Sequence, residues 1–463
     1  MQAKEKAYRY LCQLLSLKQE GITELKIKGS DPVYRSPFFS GELAAATLAA
    51  YATAIANIWY LRHGQKQRLQ IDVSSAAHAL NTVSLLQLNG RPVPYDVNQK
   101  DVTSFFQSKD QKWVFINAPF SRLKSKTLQL LKSSDSKADL QQAVKQWNAL
   151  DLENALTEAG LTGAMLRTEQ EWFQTEQALA LSTEPVIAVK NLRAGPTRDF
   201  TKSKRPLSDI KVVDMTHVIS GPSSARLLAE QGAKVVHVRP PFGQSIPTFV
   251  LDTNPGKLSV YLDIKQPQDQ EKLINLIKES DIFIQSYRPG HIDKYGFSPQ
   301  QMAAINPNLI YVNVSCYGHV GPWQQRAGWD QQAQTVSGMA THQGSEDNPS
   351  LTPSFINDYL TGYLAATGAL AALLRQQQTG GSYEVNTSLT RTAMWVQSYG
   401  LIEPEIWQAI GDEIKVTKDL LMQEQTPFGK ICRLAPVMKY SKTPGYWDKQ
   451  VVPLGSSDIN VWH

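Results

Sequence analysis

Short apolar runs alternate with helix-length segments through the second half of the chain. We predict strands at 210–213, 234–238, 257–262, 282–285 and 309–314, and helices at 222–231, 268–279 and 299–305. Apolar strands that alternate with helices are typical of a parallel sheet covered on both faces. The pattern therefore predicts an α/β fold with a Rossmann-like, doubly wound sheet, in which ligands lie at the carboxyl ends of the strands.

Two Ala-rich helices with similar surroundings are predicted far apart in the chain, at 43–61 and 359–374. The first follows Ser36-Pro37-Phe38-Phe39 and the second follows Thr352-Pro353-Ser354-Phe355. Each is followed by an arginine, by glycine and then by a strand-like run. We interpret this likeness as a partial internal duplication; a chance resemblance between two Ala-rich helices is the alternative.

The first Ala-rich stretch carries no charge and is long enough to cross a bilayer. It is rich in Ala and Thr, however, and these residues drive membrane insertion weakly. We therefore favour a buried helix over a membrane span. Residues 1–19 mix Lys, Glu and Arg with their apolar residues, so we expect no signal peptide there.

Changes in composition divide the chain into five predicted segments. Residues 1–104 are mainly helical, and residues 105–193 are a small α/β domain with a strand at 113–116 and an amphipathic helix at 141–159. Residues 194–208 are polar, contain two prolines and a glycine, and are typical of a linker. Residues 209–390 form the Rossmann-like domain, and residues 391–463 form a C-terminal segment.

The composition narrows the class of function. A hydrophobic content of 42% and a charged content of 19% indicate a globular protein with a core. The net charge of +5 is too small to indicate nucleic-acid binding but suits an anionic small molecule. Cys12, Cys316 and Cys432 are too few and too widely spaced for a disulfide framework or a zinc site, so we expect the cytoplasm and no metal.

Two loops at the carboxyl ends of predicted strands could bind a ligand. The first, Asp214 to Pro222, places Gly221 and Pro222 where a helix begins, and a helix N-terminus offers N–H groups to a phosphate or carbonyl. No Gly-x-Gly-x-x-Gly or P-loop motif occurs, which disfavours a dinucleotide. In the second loop Tyr287 could stack on a base and Arg288 could bind a phosphate. For both loops, a plain turn is the alternative.

Two further residues are candidates for catalysis. His319 follows the last predicted strand of the sheet, but a single histidine there is more often at the surface than a base. Asp358 precedes the second Ala-rich helix, where an aspartate commonly serves as a helix N-cap. The functional alternative is a carboxylate that attacks a thioester and forms a covalent intermediate.

A collinear series of motifs over residues 205–390 resembles the family III CoA-transferases, which include formyl-CoA and carnitine CoA-transferases and α-methylacyl-CoA racemase. The series comprises Leu207–Asp214 with Gly221-Pro222, Leu227–Val235, Asn254–Ser259, Asp281–Gly290, Asn306–Val312, Tyr317-Gly318, Asp330 with Ser337-Gly338, and Asp358 with Gly362. Residues 36–200 resemble the later part of the same family, with its large-domain helix, small domain and return segment. Residues 437–455 resemble the terminal return segment, so the chain looks like a rearranged, partly duplicated member.

The resemblance implies a Rossmann-like large domain, a smaller α/β domain and an acyl-CoA substrate. Asp358 matches the catalytic aspartate, which would form an anhydride and then an aspartyl-CoA thioester with a carboxylic acid as acceptor. The residues that would bind CoA are His217, Val218, Ile219, Ser220, Ser286, Tyr287, Arg288 and Lys294. No tightly bound cofactor, nucleic acid or membrane is implied. Family members form interlocked homodimers, which a chain with two partial copies could reproduce as an internal pseudo-dimer.

Several positions depart from the family pattern. Trp329 stands where the racemases carry a histidine, so we favour the transferase reaction, with racemisation as an alternative. Arg239 replaces a glutamate and Cys316 a glycine, and the glycine-rich flap of some transferases has no counterpart. The first repeat has no clear equivalent of Asp358, and Glu42 is the nearest acidic residue. A CoA-binding protein without efficient turnover is the second alternative.

Overall fold

The computed structural model describes residues 2–93 and 102–462, and its strands and helices account for most of these residues. The strands are β1 (Ile22–Lys28), β2 (Gln67–Asp72), β3 (Gln87–Leu88), β4 (Arg91–Pro92), β5 (Ser104–Gln107), β6 (Trp113–Ile116), β7 (Gly163–Met165), β8 (Ala188–Arg193), β9 (Lys211–Met215), β10 (Lys234–Arg239), β11 (Lys257–Tyr261), β12 (Ile282–Gln285), β13 (Ile310–Ser315), β14 (Ser382–Ser388), β15 (Leu421–Thr426), β16 (Gly429–Leu434) and β17 (Lys439–Tyr440). The α-helices are α1 (Ala3–Leu15), α2 (Ser40–His63), α3 (Val73–Ala79), α4 (Ser121–Leu131), α5 (Lys137–Val144), α6 (Ala149–Glu158), α7 (Glu169–Phe173), α8 (Glu176–Ser182), α9 (Ser220–Glu230), α10 (Pro247–Thr253), α11 (Pro267–Lys278), α12 (Pro299–Ile305), α13 (Asp330–Ser337), α14 (Met339–Gln343), α15 (Ile356–Thr379), α16 (Leu389–Gln397) and α17 (Pro404–Trp407).

The largest sheet has seven strands in the order β11-β10-β9-β12-β13-β14-β8. Six strands are parallel and β8 runs antiparallel to β14 at one edge. The predicted Rossmann-like sheet is thus confirmed, with strand order reversing between β9 and β12. Such a switch point opens a crevice at the carboxyl ends of the two strands, where ligands of doubly wound sheets bind.

Helices cover both faces of this sheet, as its apolar strands require. On one face Val212, Ile284 and Val312 belong to the same buried cluster as the apolar side chains of α2, α9 and α15. On the other face Val213 and Phe283 pack with residues of α11 and α12. The long α15 lies between the sheet and α2, so its first turn is held by contacts on several sides.

Helix α2 contains the uncharged stretch that we predict to be buried. By length and composition alone it could cross a membrane, but 89% of its most apolar window is buried inside the protein. It packs against α1, α3 and α15. Its small residues let these helices approach closely, which is the environment expected of a core helix.

The two Ala-rich helices sit in similar arrangements of elements. Helix α2 links parallel strands β1 and β2, and α15 lies between parallel strands β13 and β14. Both helices have 24 residues, follow a phenylalanine outside helical geometry and end at a glycine with φ near +65°. The strand that follows each helix, β2 or β14, leads directly into a further helix. β2 pairs with the antiparallel strand β17, and β14 pairs with the antiparallel strand β8.

A small three-stranded sheet, β5-β6-β7, forms with α4, α5 and α6 a separate buried cluster within residues 102–165. The strand predicted at 113–116 is confirmed as β6. The single helix predicted at 141–159 is wrong, because the chain leaves helical geometry between α5 and α6. There the carbonyl of Trp147 accepts from Lys109 N–H, and Ala149 N–H donates to Asp110, so these groups bond outside the helix.

The segments on either side of the Rossmann-like region pack against it. Residues 194–208 contain no helix or strand, and Arg198 and Arg205 in this segment pair with Asp281 and Asp448. After α16, β15 and β16 join β3 and β4 in a four-stranded sheet, and β17 pairs with β2. The three cysteines are unpaired.

A buried ion pair supports the start of α9. Lys257 Nζ lies 2.7 Å from Asp214 Oδ2 and also donates to the carbonyl of Pro222 at 2.7 Å. Burial would raise the pKa of Asp214, but Lys257 and His237 hold it below its usual value. The pair therefore ties the end of β9 to the first turn of α9.

Replacing Lys257 by methionine should destabilise the protein by about 3–5 kcal/mol at neutral pH, because Asp214 is left buried and unpaired. Asp214 in its pair has a lowered pKa and stabilises the fold above its unfolded pKa. Without Lys257 its folded pKa rises, so the loss should shrink as the pH falls. Urea unfolding across pH measures this.

The matched control is Lys234→Met, at an exposed lysine on β10, which should leave the free energy of unfolding nearly unchanged. The double variant Asp214→Asn, Lys257→Met removes both charges and should recover part of the loss. Equal stability of Lys257→Met and the native protein would contradict the importance of the pair.

Candidate active site

Asp358 is the third residue of α15 and lies beneath the crevice. The helix begins after Phe355, so an ordinary N-cap role for Asp358 is excluded. Asp330 supplies the cap instead, since its Oδ1 accepts from Asn357 N–H at 3.2 Å. The residue Asp358 is 4% exposed, and no hydrogen bond from the described residues reaches its carboxylate. A buried carboxylate without a donor is costly and marks a functional position.

The two carboxyl groups influence each other. Burial, and then the neighbouring Asp330, raise the pKa of Asp358 well above its usual value. Burial raises the pKa of Asp330 to about 7, against the opposing effect of its hydrogen bonds from Gln334 and Asn357. The two groups therefore titrate as a pair, and the second negative charge is taken up only as the pH rises.

Residues 216–220, which we call the first loop, connect β9 to α9. His217 N–H donates to Ser286 Oγ at 3.2 Å, which joins this loop to the end of β12. Val218 has φ +71°, a left-handed conformation that is strained for a β-branched residue. A Cβ on Gly221 would lie 2.5 Å from the side chain of Thr216, so the turn admits only glycine.

The first turn of α9 offers hydrogen-bonding groups next to α15. The helix begins at Ser220, so Pro222 is its third residue and not its first, as its position in the sequence suggests. The first N–H groups of a helix have no acceptor within it, and the hydroxyls of Ser220 and Ser223 find no partner among the described residues. A Cβ on Gly362 of α15 would lie 2.4 Å from the carbonyl oxygen of Ser220, so the two helices meet one turn from Asp358.

Residues 286–290, which we call the second loop, follow β12 on the other side of the switch point. The Tyr287 ring lies 5.5 Å from the His217 ring and stacks on His291 with an interplanar angle of 8°. Arg288 donates to the carbonyl of Gln325 at 3.1 Å. Lys294 is exposed, with its Nζ 5.2 Å from the centre of the Tyr295 ring.

The predicted CoA-binding residues thus fall into two groups. His217, Val218, Ile219 and Ser220 lie on the first loop and the start of α9, and Ser286 and Tyr287 face them across the switch point. Arg288 and Lys294 lie at the rim, where their charges, after burial itself, lower the pKa of His291. Asp358 lies behind the first turn of α9 and not on the same loop.

Several side chains at the site escape sequence reasoning. Phe120, at the start of α4, joins His217, Val218 and Arg239 around a cavity of about 20 Å³. Phe120 also lies 5.9 Å, ring to ring, from Trp329, and Asn117 donates to Gln331 at 3.0 Å. Of these side chains, only Arg239 gives a signal in the sequence, because it stands where the resembled family has a glutamate. Residues 117–120 reach the site through packing between segments far apart in the chain, which the sequence does not reveal.

A larger cavity of about 450 Å³ lies on the sheet face opposite to α15. Its floor is a row of polar side chains on adjacent strands, in which Gln285 donates to Asn313 and Asn313 donates to Asn386. His319 is half-buried and lines this cavity, and burial lowers its pKa to about 4. Among residues 2–93 and 102–462 no cluster of side chains is suited to a metal ion.

Sequence relatives are consistent with this geometry. Residues 207–422 match CoA-transferase family III. An acetyl-coenzyme A transferase of Hypoxylon pulicicidum is 36% identical over 44% of this chain and 36% of its own length. An acyl-CoA transferase of Gibberella moniliformis is 30% identical over 61% of this chain and 53% of its own length. A formyl-CoA:oxalate CoA-transferase of Streptomyces avermitilis is 34% identical over 41% of this chain and 49% of its own length.

The chain spans about half of the length of these curated relatives, or less. A crystal structure of a CaiB/BaiF family protein from Brucella suis aligns with 42% of this chain and 56% of its own, at 28% identity and a TM-score of 0.40. The family match includes the switch point, both loops and Asp358. Over residues 207–422 the chain is therefore similar to CoA-transferase family III.

Proposed function

We propose that the protein transfers CoA from an acyl-CoA to a carboxylic acid, with Asp358 as the nucleophile. The observation that carries this proposal is the carboxylate of Asp358, which is buried, receives no hydrogen bond from the described residues and lies one helical turn from the contact of α15 with the first turn of α9. A thioester placed there would meet a poorly solvated carboxylate and, on its carbonyl oxygen, N–H groups that stabilise developing negative charge. The match of residues 207–422 to CoA-transferase family III supports the same reaction class.

The reaction proceeds through two covalent intermediates in this proposal. The Asp358 carboxylate attacks the thioester carbonyl, the C–S bond breaks, and a mixed anhydride and CoA thiolate result. The thiolate then attacks the aspartyl carbonyl, which releases the first acid and leaves an aspartyl-CoA thioester. The acceptor carboxylate attacks this thioester, the C–S bond breaks, and a second mixed anhydride and CoA thiolate result. The thiolate then attacks the acceptor carbonyl, which forms the new acyl-CoA and regenerates Asp358.

The substrate CoA would lie along the switch point. His217, Val218, Ile219 and Ser220 line its inner part, and Ser286, Tyr287, Arg288 and Lys294 line the outer part. Burial, and then the nearby Arg239 and His237, lower the pKa of His217 to about 4, so His217 is neutral at physiological pH. It can therefore hydrogen-bond CoA without adding charge. No tightly bound cofactor takes part.

We further propose that one chain completes this site as an internal pseudo-dimer. Phe120 and Asn117, which belong to the first half, contact residues of the second half around the site. The similar arrangement around α2 and α15 agrees with a partial duplication. We place the enzyme in the cytoplasm, where the unpaired Cys12, Cys316 and Cys432 would stay reduced.

Racemisation is the less favoured reaction. It would require a group that moves a proton beside the thioester carbonyl, and the indole of Trp329 beside Asp330 cannot do so. Deuterium uptake next to the carbonyl of the recovered acyl-CoA would reveal racemisation. Binding of CoA without exchange into any carboxylic acid would support the remaining alternative, a protein without efficient turnover.

Asp358→Asn should lower CoA exchange on the order of 10³-fold or more, because the covalent intermediate cannot form. Incubating the native protein with an acyl-CoA and hydroxylamine should convert Asp358 to its hydroxamate, which peptide mass spectrometry detects. The control Asp347→Asn, at an exposed loop residue, should exchange CoA normally. Undiminished turnover by Asp358→Asn would refute the nucleophile.

Asp330→Asn should shift the acid limb of the kcat/KM profile to lower pH. The nucleophile must be ionised, and Asp330 raises the pKa of Asp358 after burial. The asparagine oxygen still caps Asn357 but carries no charge, so Asp358 ionises at lower pH. Rates of exchange measured across pH test this. An unmoved acid limb, with the Asp347→Asn profile as reference, would show that Asp330 does not control the ionisation.

A further inference from the structure

The residues on either side of Asp358 are each held by a carboxylate from another segment. On one side Asn357 N–H donates to Asp330 Oδ1 at 3.2 Å. On the other side the hydroxyl of Tyr359 donates to Asp252 Oδ2 at 2.8 Å. Tyr359 and Asp252 are fully buried. Because both neighbours of Asp358 are fixed, the backbone that carries its side chain is fixed as well.

Asp252 is itself held in one orientation. Arg226 of α9 donates to Asp252 Oδ1 at 3.0 Å and to the main-chain carbonyl of Asp252 at 2.9 Å. Thr82 donates to Asp252 Oδ2 at 2.8 Å, and the same oxygen accepts from Tyr359. A side chain whose rotamer is locked by further hydrogen bonds can position its neighbour accurately.

The first half of the chain contributes to the same arrangement. Val83 N–H donates to the hydroxyl oxygen of Tyr359 at 3.2 Å, so this hydroxyl is both a donor and an acceptor. One turn further along α15 the hydroxyl of Tyr363 donates to the carbonyl of Ala79 at 2.6 Å. Residues four apart lie on the same helix face. Two tyrosines of α15 therefore bind neighbouring residues of the first half.

The first repeat has the cap but not the second contact. Asp31 accepts from Gly41 N–H at 3.2 Å and from Glu42 N–H at 2.7 Å, which caps α2. The fourth residue of α2 is Leu43, whereas the fourth residue of α15 is Tyr359. Leu43 is buried and has no polar group to bind a carboxylate. The contact with Asp252 is therefore not a requirement for building such a helix start.

We propose that Asp252, acting through Tyr359, is a positioning residue that fixes the direction of the Asp358 carboxylate. This inference rests on the proposed function, in which Asp358 attacks a thioester. Asp252 and Tyr359 are buried, so their role is to orient the nucleophile and not to touch the substrate. Orientation matters because a displacement of about 1 Å can lower a rate about 100-fold.

Tyr359→Phe tests the proposal, since it removes only the hydroxyl and leaves the ring to pack. We expect kcat for CoA exchange to fall about 10-fold and KM for the acyl-CoA to change less than about 2-fold, because the two loops are unaltered. Trapping of Asp358 by hydroxylamine should slow by the same factor as kcat. The acid limb of the pH profile should not move, since Asp330 keeps its charge.

The matched control is Tyr363→Phe, which removes the same atom one turn further along α15. It also breaks a buried hydrogen bond to another segment, so it should lower the melting temperature about as much as Tyr359→Phe does. Its kcat should equal that of the native protein. A hydroxyl that serves only stability would make the two variants behave alike.

Hydrogen–deuterium exchange of the full-length chain tests the contact without turnover. Tyr359→Phe should speed exchange at the amides of residues 357–360, and Tyr363→Phe should not. The proposal is overturned by unchanged exchange at these amides, by a native kcat in Tyr359→Phe, or by equal loss of kcat in both variants. Native protein that transfers no CoA would refute the proposed function, and the amide exchange would still decide whether Asp252 holds this turn of α15.

Discussion

The close approach of α9 to α15 is the constraint on which the candidate site depends. At Gly362 the helices meet so closely that a Cβ would lie 2.4 Å from the carbonyl oxygen of Ser220. This contact brings the first turn of α9 against α15, one helical turn from Asp358. Lys257 fixes the other side of α9, since it binds both Asp214 at the end of β9 and the carbonyl of Pro222. Neither helix start can shift without disturbing a buried contact.

Several features of the site reduce the stability of the fold, and packing in the surrounding core offsets their cost. Val218 is strained, two buried serine hydroxyls lack partners, and Asp330 and Asp358 are neighbouring acids in a poorly solvated place. Such costs persist where the surrounding structure determines the conformation. Here the apolar cluster that joins α2, α9, α15 and the sheet provides that surrounding structure. A site with uncompensated groups is therefore maintained by a large core that takes no part in the chemistry.

The sheet could be predicted from the sequence because its signals are local. Runs such as 282–285 and 299–305 have the lengths and apolar patterns of strands and helices, and the structure places them within a few residues of those bounds. The helix predicted at 141–159 fails because groups at the break bond to distant residues: the carbonyl of Trp147 accepts from Lys109 N–H, and Ala149 N–H donates to the carboxylate of Asp110. The cap from Asp330 to α15 and the approach of Phe120 also involve residues far apart in the chain. Periodicity carries no information about such contacts, so motif resemblance found Asp358 but not its partners.

The starts of α2 and α15 have similar local arrangements, but their acidic residues have different hydrogen-bond partners. Glu42 is the third residue of α2, as Asp358 is of α15, and Asp31 accepts from Glu42 N–H at 2.7 Å much as Asp330 accepts from Asn357 N–H. The sequence singled out Glu42 only as the nearest acid and not as a clear equivalent of Asp358, because the acids differ and their caps lie at different distances along the chain. The Glu42 carboxylate receives Lys4 N–H at 2.9 Å from the first turn of α1. Among the described residues no such donor reaches the Asp358 carboxylate. A carboxylate that is already hydrogen-bonded by the protein is stabilised in its ground state and gains less by attacking a substrate. The two positions therefore differ in their hydrogen bonding: α1 donates to the Glu42 carboxylate, whereas no described residue donates to the Asp358 carboxylate.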